Sequence, residues 1–190
     1  IIFKKVEIKM IKKYDCIFLD RDGTINHDPG YVASLKEFQF YSYAFEALKI
    51  LSSVANYFVI ITNQSGIARG LIKKNDLADI NNFIQEQFYK NELNLLGIYS
   101  CFDDPRNPSQ RRKPGLGMFI EASNDHNINL SKCIMIGDSY KDIIPAFNLG
   151  MDSMLVLTGN GKNDQNKFDK IKKPNFVVKN LLFGAKALIR

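Results

Sequence analysis

The stretch Ile17-Phe18-Leu19-Asp20-Arg21-Asp22-Gly23-Thr24 decides how this chain is read. An apolar run stops abruptly at two aspartates one residue apart, followed by Gly-Thr. If the run is a buried strand, alternation along the extended chain sends Asp20 and Asp22 to the same side. Gly23 lets the chain turn directly after them. Two carboxylates this close repel each other. They are tolerated if a cation sits between them, or if one holds a proton. Either condition suits chemistry on a phosphate: one carboxylate attacks, the other moves a proton, and a hard metal ion screens the charge. Taken alone, the motif also reads as two solvated turn residues, because Asp and Gly are common in turns.

Three further stretches favour the chemical reading. Tyr57-Phe58-Val59-Ile60-Ile61 is a second apolar, β-branched run, and it ends in Thr62-Asn63-Gln64-Ser65-Gly66. Arg111-Arg112-Lys113-Pro114-Gly115 is a basic cluster in a loop. Cys133-Ile134-Met135-Ile136 ends in Gly137-Asp138-Ser139, with Asp142 four residues beyond Asp138. Strand candidates therefore release polar residues at their carboxyl ends, the edge where open α/β sheets bind ligands.

Around these motifs, strands and helices alternate. Strands are expected at 16–19, 57–61, 98–102, 134–136, 154–157 and 176–178. Helices are expected at 44–52, 74–93, 118–127, 140–149 and 181–188, with Asn75 as the N-cap of the second. Residues 26–40, containing the turn signal Asp28-Pro29-Gly30, and residues 103–117 read as loops, and 159–173 as a polar connection. The alternation predicts an α/β fold whose mainly parallel sheet is covered on both faces.

Length and composition set bounds. The 190 residues suffice for one domain with a substantial core. No 18-residue apolar stretch occurs, so no transmembrane helix and no membrane partner are expected. The first residues lack a signal-peptide pattern, and Met10 is a candidate start with residues 1–9 an upstream extension. Three cysteines make no even framework and suit a reducing cytoplasm. A net charge of +6 suits anionic ligands only loosely, because many lysines lie near the chain ends. No basic platform interleaved with aromatic residues is present, so nucleic acid is not expected as a partner. The oligomeric state is not legible.

The motifs together resemble the haloacid dehalogenase superfamily of phosphotransferases, in the family's own order: D-x-D-G-T, a Thr after a strand, a Lys, then G-D-x-x-x-D. The finer pattern of L-D-R-D-G-T-I-N, T-N-Q-S-G-I-A-R-G and R-K-P-G-x-G-M is similar to the bacterial branch of heptose bisphosphate and histidinol phosphate phosphatases. The resemblance implies a Rossmann-like three-layer α/β/α sandwich with no large cap domain. It implies a Mg²⁺-dependent phosphatase of a small phosphorylated metabolite. Heptose bisphosphate is the leading substrate and histidinol phosphate or another sugar phosphate the alternative. A non-catalytic phosphate-binding protein is the reading from a different class.

The resemblance also implies roles. Asp20 is the nucleophile that forms an aspartyl-phosphate, and Asp22 the general acid and base. Thr62 binds phosphoryl oxygens, and Lys113 supplies a fixed positive charge. Asp138 joins Asp20 and the backbone carbonyl of Asp22 around Mg²⁺. Asp142 binds a metal water, orients Lys113, or is simply a carboxylate at a helix N-terminus. Asn63, Gln64 and Ser65 line the pocket, and Asp28, Gly30 and Tyr31 meet the sugar. Arg112 takes a second phosphate or a sugar hydroxyl, while Arg69 either reaches substrate or braces its own loop.

Two departures lie near the substrate side. Many members of the branch bind a structural zinc before R-K-P through Cys and His. Here only Cys101 matches, with Asp103, Ser109 and Arg111 at the other positions, and a structural zinc needs about four such ligands. No zinc is therefore expected, and Asp103 or Asp104 pairing with Arg106 or Arg111 is expected to brace the loop. Tyr41-Ser42-Tyr43 stands where relatives usually place a glycine before the helix.

Overall fold

A computed structural model describes residues 13–168 and 172–189. The candidate start at Met10 lies outside these residues. Six strands form one sheet: β1 (Tyr14–Leu19), β2 (Ala55–Asn63), β3 (Leu95–Cys101), β4 (Cys133–Gly137), β5 (Asp152–Val156) and β6 (Phe176–Val178). Their order is β3-β2-β1-β4-β5-β6, and every pairing is parallel. Parallel neighbours need crossovers. Helices α1 (Ala44–Leu51), α2 (Lys74–Lys90), α3 (Gly117–His126) and α4 (Tyr140–Leu149) supply four of them, and α6 (Leu181–Leu188) follows β6. The winding reverses between β1 and β4, which opens a crevice at their carboxyl ends.

The period of two along the strands builds both faces. Ile17 and Leu19 of β1, with Phe58, Ile60, Ile134 and Ile136, join residues of α1, α2 and α6, such as Leu48, Ile84 and Leu181, in one core. Cys16 and Phe18, with Val59, Ile61, Cys133 and Met135, join Met118, Phe119 and Ala146 of α3 and α4 in the other. The register pairs Ile17 with both Phe58 and Ile134. A slip of one residue would turn each strand inside out, and each fully buried side chain of this size contributes about 1.5–3 kcal/mol. The same register fixes which side Asp20 stands on.

The 26–40 segment is tied to the first core instead of forming a cap. Val32 and Phe38 are buried there. Phe38 meets Phe40 edge-on, with ring centroids 4.8 Å apart, and lies 6.1 Å from Phe83.

Several boundaries differ from expectation. Lys73, in extended backbone, caps α2 without a side-chain bond, and Asn75 lies inside the first turn. That helix ends at Lys90, ahead of Glu92 in left-handed backbone. Strand β3 begins at Leu95, because pairing with β2 continues back across Gly97. The polar 159–173 connection carries a short helix, α5 (Gly161–Asp164), and a 3₁₀ turn (Gln165–Phe168). Phe168 anchors it beneath Tyr140 and Phe147.

Candidate active site

Three neighbouring strands deliver the functional side chains to one edge. Asp20 follows β1 directly, and its N–H donates to the Ile136 carbonyl at 2.9 Å. The chain then turns through Gly23, whose φ of 83° a residue with a Cβ rarely adopts. Asp138 follows β4. Asn63 ends β2, and Lys113 comes from the loop between β3 and α3.

Lys113 is buried at the centre. Its Nζ donates to Asp20 Oδ1 at 2.6 Å, Asp142 Oδ1 at 2.6 Å and the Ile61 carbonyl at 2.7 Å. All three ammonium hydrogens are thereby used. Asn63 sets the lysine's backbone: its Nδ2 donates to the Lys113 carbonyl and its Oδ1 accepts from the Lys113 N–H, each at 3.1 Å. Asp142 gives its other oxygen to the Ser139 N–H at 3.0 Å, completing a capping box at the start of α4. Gly137 has no Cβ to collide with Asp142. Asp138 Oδ2 accepts from the Asn160 backbone N–H at 2.6 Å.

The charges are crowded. Burial pushes Asp20 up to about 7; Lys113 pulls the other way, and Asp142 and Asp22 add to the rise. Burial pushes Asp138 up to about 9, with Asp20 and Asp142 contributing. Burial opposes the charge on Lys113, but Asp142 and Asp20 outweigh it and hold the ammonium above its ordinary range. Oxygens of Asp20, Asp138 and Asp142 lie within 4.8 Å of one another. One lysine cannot balance three carboxylates, and an all-oxygen cluster of this kind fits a hard divalent cation. Both oxygens of Asp142 are committed to Lys113 and Ser139, which leaves Asp20 and Asp138 as the carboxylates best placed to hold it. Of the alternatives for Asp142, the geometry favours orienting Lys113.

Asp22 is gripped differently. Its oxygens accept from Arg21 Nε at 3.1 Å and Nη2 at 2.9 Å, from Asn26 Nδ2 at 2.9 Å and from Gln64 Nε2 at 2.8 Å.

A cleft of about 410 Å³ opens over this centre. Its walls bring together Asp20, Asp22, Asp28, Gly30, Tyr31, Asn63, Gln64, Ser65, Arg112, Lys113, Asp138 and Asp142, all expected from sequence. Thr62 lies behind the wall, 1 % exposed, its hydroxyl accepting from Gln64 at 2.9 Å. Arg112 braces as well as lines: its Nη1 donates to the Asp103 carbonyl at 3.1 Å. Arg69 donates to the Tyr31 hydroxyl at 2.7 Å, joining two loops rather than lining the cleft.

Sequence reasoning missed Val32, Ser139, Lys141 and Asn160 in the walls, and Arg21 and Asn26 behind Asp22. Lys141 was accessible, since it follows Asp138 by three residues at the start of a helix. Asn160 was not, because nothing local connects it to Asp138.

The loop after β3 is braced by polar bonds. Asp103 accepts from the Ser109 N–H at 2.8 Å, and Ser109 Oγ from the Arg111 N–H at 3.1 Å. Asp104 pairs with Arg106 at 2.7 Å, as expected, while Arg111 pairs with Glu121 instead of an aspartate. No helix of the described residues is long and apolar enough to cross a membrane.

Comparison with known proteins accords with this geometry. Residues 110–182 match the HAD-hydrolase-like family. The chain is 38 % identical over 152 residues to D-glycero-beta-D-manno-heptose-1,7-bisphosphate 7-phosphatase of Helicobacter pylori strain J99, covering 80 % of this chain and 87 % of that protein. It is 35 % identical over 157 residues to the enzyme of the same name from Vibrio cholerae, covering 78 % and 84 %. Among solved structures, D,D-heptose 1,7-bisphosphate phosphatase from B. bronchiseptica, complexed with magnesium and phosphate, superposes with a TM-score of 0.83 at 28 % identity. That match covers 92 % of this chain and 98 % of that one. Motif order, strand topology and sequence similarity all agree, and the chain belongs to the phosphatases of the haloacid-dehalogenase-like hydrolase family.

Proposed function

We propose that this chain is a cytoplasmic Mg²⁺-dependent phosphomonoesterase acting on a phosphorylated heptose, with D-glycero-D-manno-heptose 1,7-bisphosphate its substrate and the 7-phosphate the group removed. The observation that carries the chemistry is the buried Asp20, held 2.6 Å from Lys113 at the floor of a cleft where Asp22 and Asp138 converge. The relatives' substrate and the cleft's mixed acidic and basic walls support the sugar bisphosphate.

In this reading an Asp20 oxygen attacks phosphorus and the P–O bond to the sugar breaks. Asp22 gives its proton to the leaving alkoxide, leaving an aspartyl-phosphate on Asp20. Asp22 then takes a proton from water, which attacks the same phosphorus and frees phosphate and Asp20. Lys113 offers a preorganised positive charge to the phosphoryl oxygens, while Thr62, behind the wall, supports Gln64 through its hydroxyl. The carboxylates of Asp20 and Asp138, with the Asp22 backbone carbonyl, would hold Mg²⁺, which supplies charge screening for the phosphoryl group. Asp28, Gly30, Tyr31 and Arg112 face the part of the substrate that is not transferred.

The test is phosphate release from a panel of phosphorylated metabolites, with Mg²⁺ and with EDTA. The heptose bisphosphate should give the highest kcat/KM, only with Mg²⁺, and Asp20→Asn should retain no more than a few per cent. A different preferred metabolite would overturn the substrate; an active Asp20→Asn would overturn the mechanism.

A further inference from the structure

The grip on Asp22 is more than a turn needs. Arg21 is completely buried, yet its Nη1 has no hydrogen-bond partner. An orphaned donor of this kind costs on the order of 1–3 kcal/mol. Packing Arg21 for its own satisfaction therefore does not explain its place. What the placement achieves is two nitrogens aimed at Asp22, Nε at 3.1 Å and Nη2 at 2.9 Å. Asn26, also fully buried, adds a donor from the far side of the same turn. Gln64 adds another from the end of β2, 42 residues away, and its Nε2 also donates to Thr62. A carboxylate offers about four acceptor positions. These donors come from several sides and hold the side chain against rotation, and the long Arg21 Nε contact, shared between both oxygens at 3.1 Å, is the one most easily yielded to a proton.

We propose that Arg21, Asn26 and Gln64 are positioning residues that aim the Asp22 carboxylate at the bridging oxygen of the substrate, so that they act on the proton-transfer step through Asp22. The inference rests on the acid–base role proposed for Asp22. A general acid or base must hold its geometry to within hydrogen-bond reach of the moving proton, and small misplacements are costly. A restraint drawn from two separate elements fixes both the plane of the carboxylate and its distance from Thr62.

The experiment uses the Mg²⁺-loaded enzyme and a series of phosphomonoesters running from p-nitrophenyl phosphate to alkyl phosphates. The variants are Gln64→Leu, Asn26→Ala, Arg21→Met, Arg21→Lys and Asp22→Asn, each checked for folding by circular dichroism and thermal melting. Loss of kcat/KM in Gln64→Leu should grow along the series by on the order of 10-fold or more, because a poor leaving group depends most on protonation. Combined with Asp22→Asn, the same substitution should add little further loss. Arg21→Lys should restore part of the rate lost in Arg21→Met; where Arg21→Met does not fold, Gln64→Leu and Asn26→Ala carry the test. Equal losses along the series for Gln64→Leu and Asn26→Ala, alongside a steep series for Asp22→Asn, would overturn the positioning role alone. A flat series for Asp22→Asn would overturn the acid–base reading beneath it.

Discussion

Lys113 and Asp142 form an ion pair of 2.6 Å in which each side chain is only 3 % exposed. The same ammonium holds Asp20 at the same distance. The pair is thus part of a buried triad, whose two carboxylates serve different ends. Asp142 fixes where the charge stands, and Asp20 is what the charge stands beside.

Lys113→Met should lower kcat on every substrate by about 100-fold or more, as when a preorganised donor is removed from a dry site. It should also destabilise the metal-free protein by about 3–5 kcal/mol, because two buried carboxylates lose their partner. Denaturant unfolding in EDTA measures the second effect. Asp142→Asn keeps an acceptor for the lysine and should cost less on both counts. A Lys113→Met enzyme with more than a tenth of wild-type kcat would rule out the proposed charge role.

Arg112 separates binding from chemistry. Arg112→Ala should raise KM for a sugar bisphosphate far more than for p-nitrophenyl phosphate, since a remote contact matters only when the substrate reaches it. Steady-state kinetics on the two substrates decides the matter. A uniform loss would mean that the bond to the Asp103 carbonyl, which holds the loop, is the residue's whole contribution.

Gly159 and Gly23 enclose Asp138 so closely that a Cβ on Gly159 would collide with Asp138 Oδ2, and one on Gly23 would come within 2.5 Å of it. Gly159 also has a φ of 48°. Gly159→Ala should therefore raise the Mg²⁺ concentration needed for half-maximal activity, by about 10-fold if Asp138 shifts enough to lose roughly 1.4 kcal/mol of binding. Titration calorimetry with Mg²⁺ reads this directly, and unchanged affinity would show that Asp138 is not a ligand.

Cys16, Cys101 and Cys133 are all buried. Burial pushes the Cys133 thiol up to about 12 and raises Cys16 and Cys101 as well. Thiols held in that state react slowly. The native protein should show almost no reaction with Ellman's reagent, and three thiols after unfolding in guanidinium. Elemental analysis should find no zinc. About one tightly held zinc per chain would refute the reading of the loop after β3.

Much of this was legible because buried parallel strands are short, apolar and ended by what they carry. The motif at Asp20 announced both the strand and the site, and Asp138 repeated the pattern one strand away. What was not legible depends on elements meeting. Asn63 was expected as a pocket wall, and it is one, yet its amide is taken up by the backbone of Lys113, 50 residues on. Arg21 carries no signal of its role, since nothing near it in sequence predicts that a guanidinium will be wholly enclosed. Asn75 had the right chemistry for an N-cap, but the helix already runs from Lys74, with Leu77 buried, and Asn75 falls inside its first turn.

The paired hydrogen bonds between the Asn63 amide and the Lys113 backbone copy the way two strands pair. Their consequence is mechanical. The residues at the end of β2 and those before α3 cannot open separately without breaking both bonds. Amide hydrogens at Gln64, Lys113 and Gly115 should therefore exchange with solvent deuterium as one cooperative unit, and Asn63→Ala should free them together. On that expectation the end of β2 and the loop before α3 breathe as one element beside the cleft.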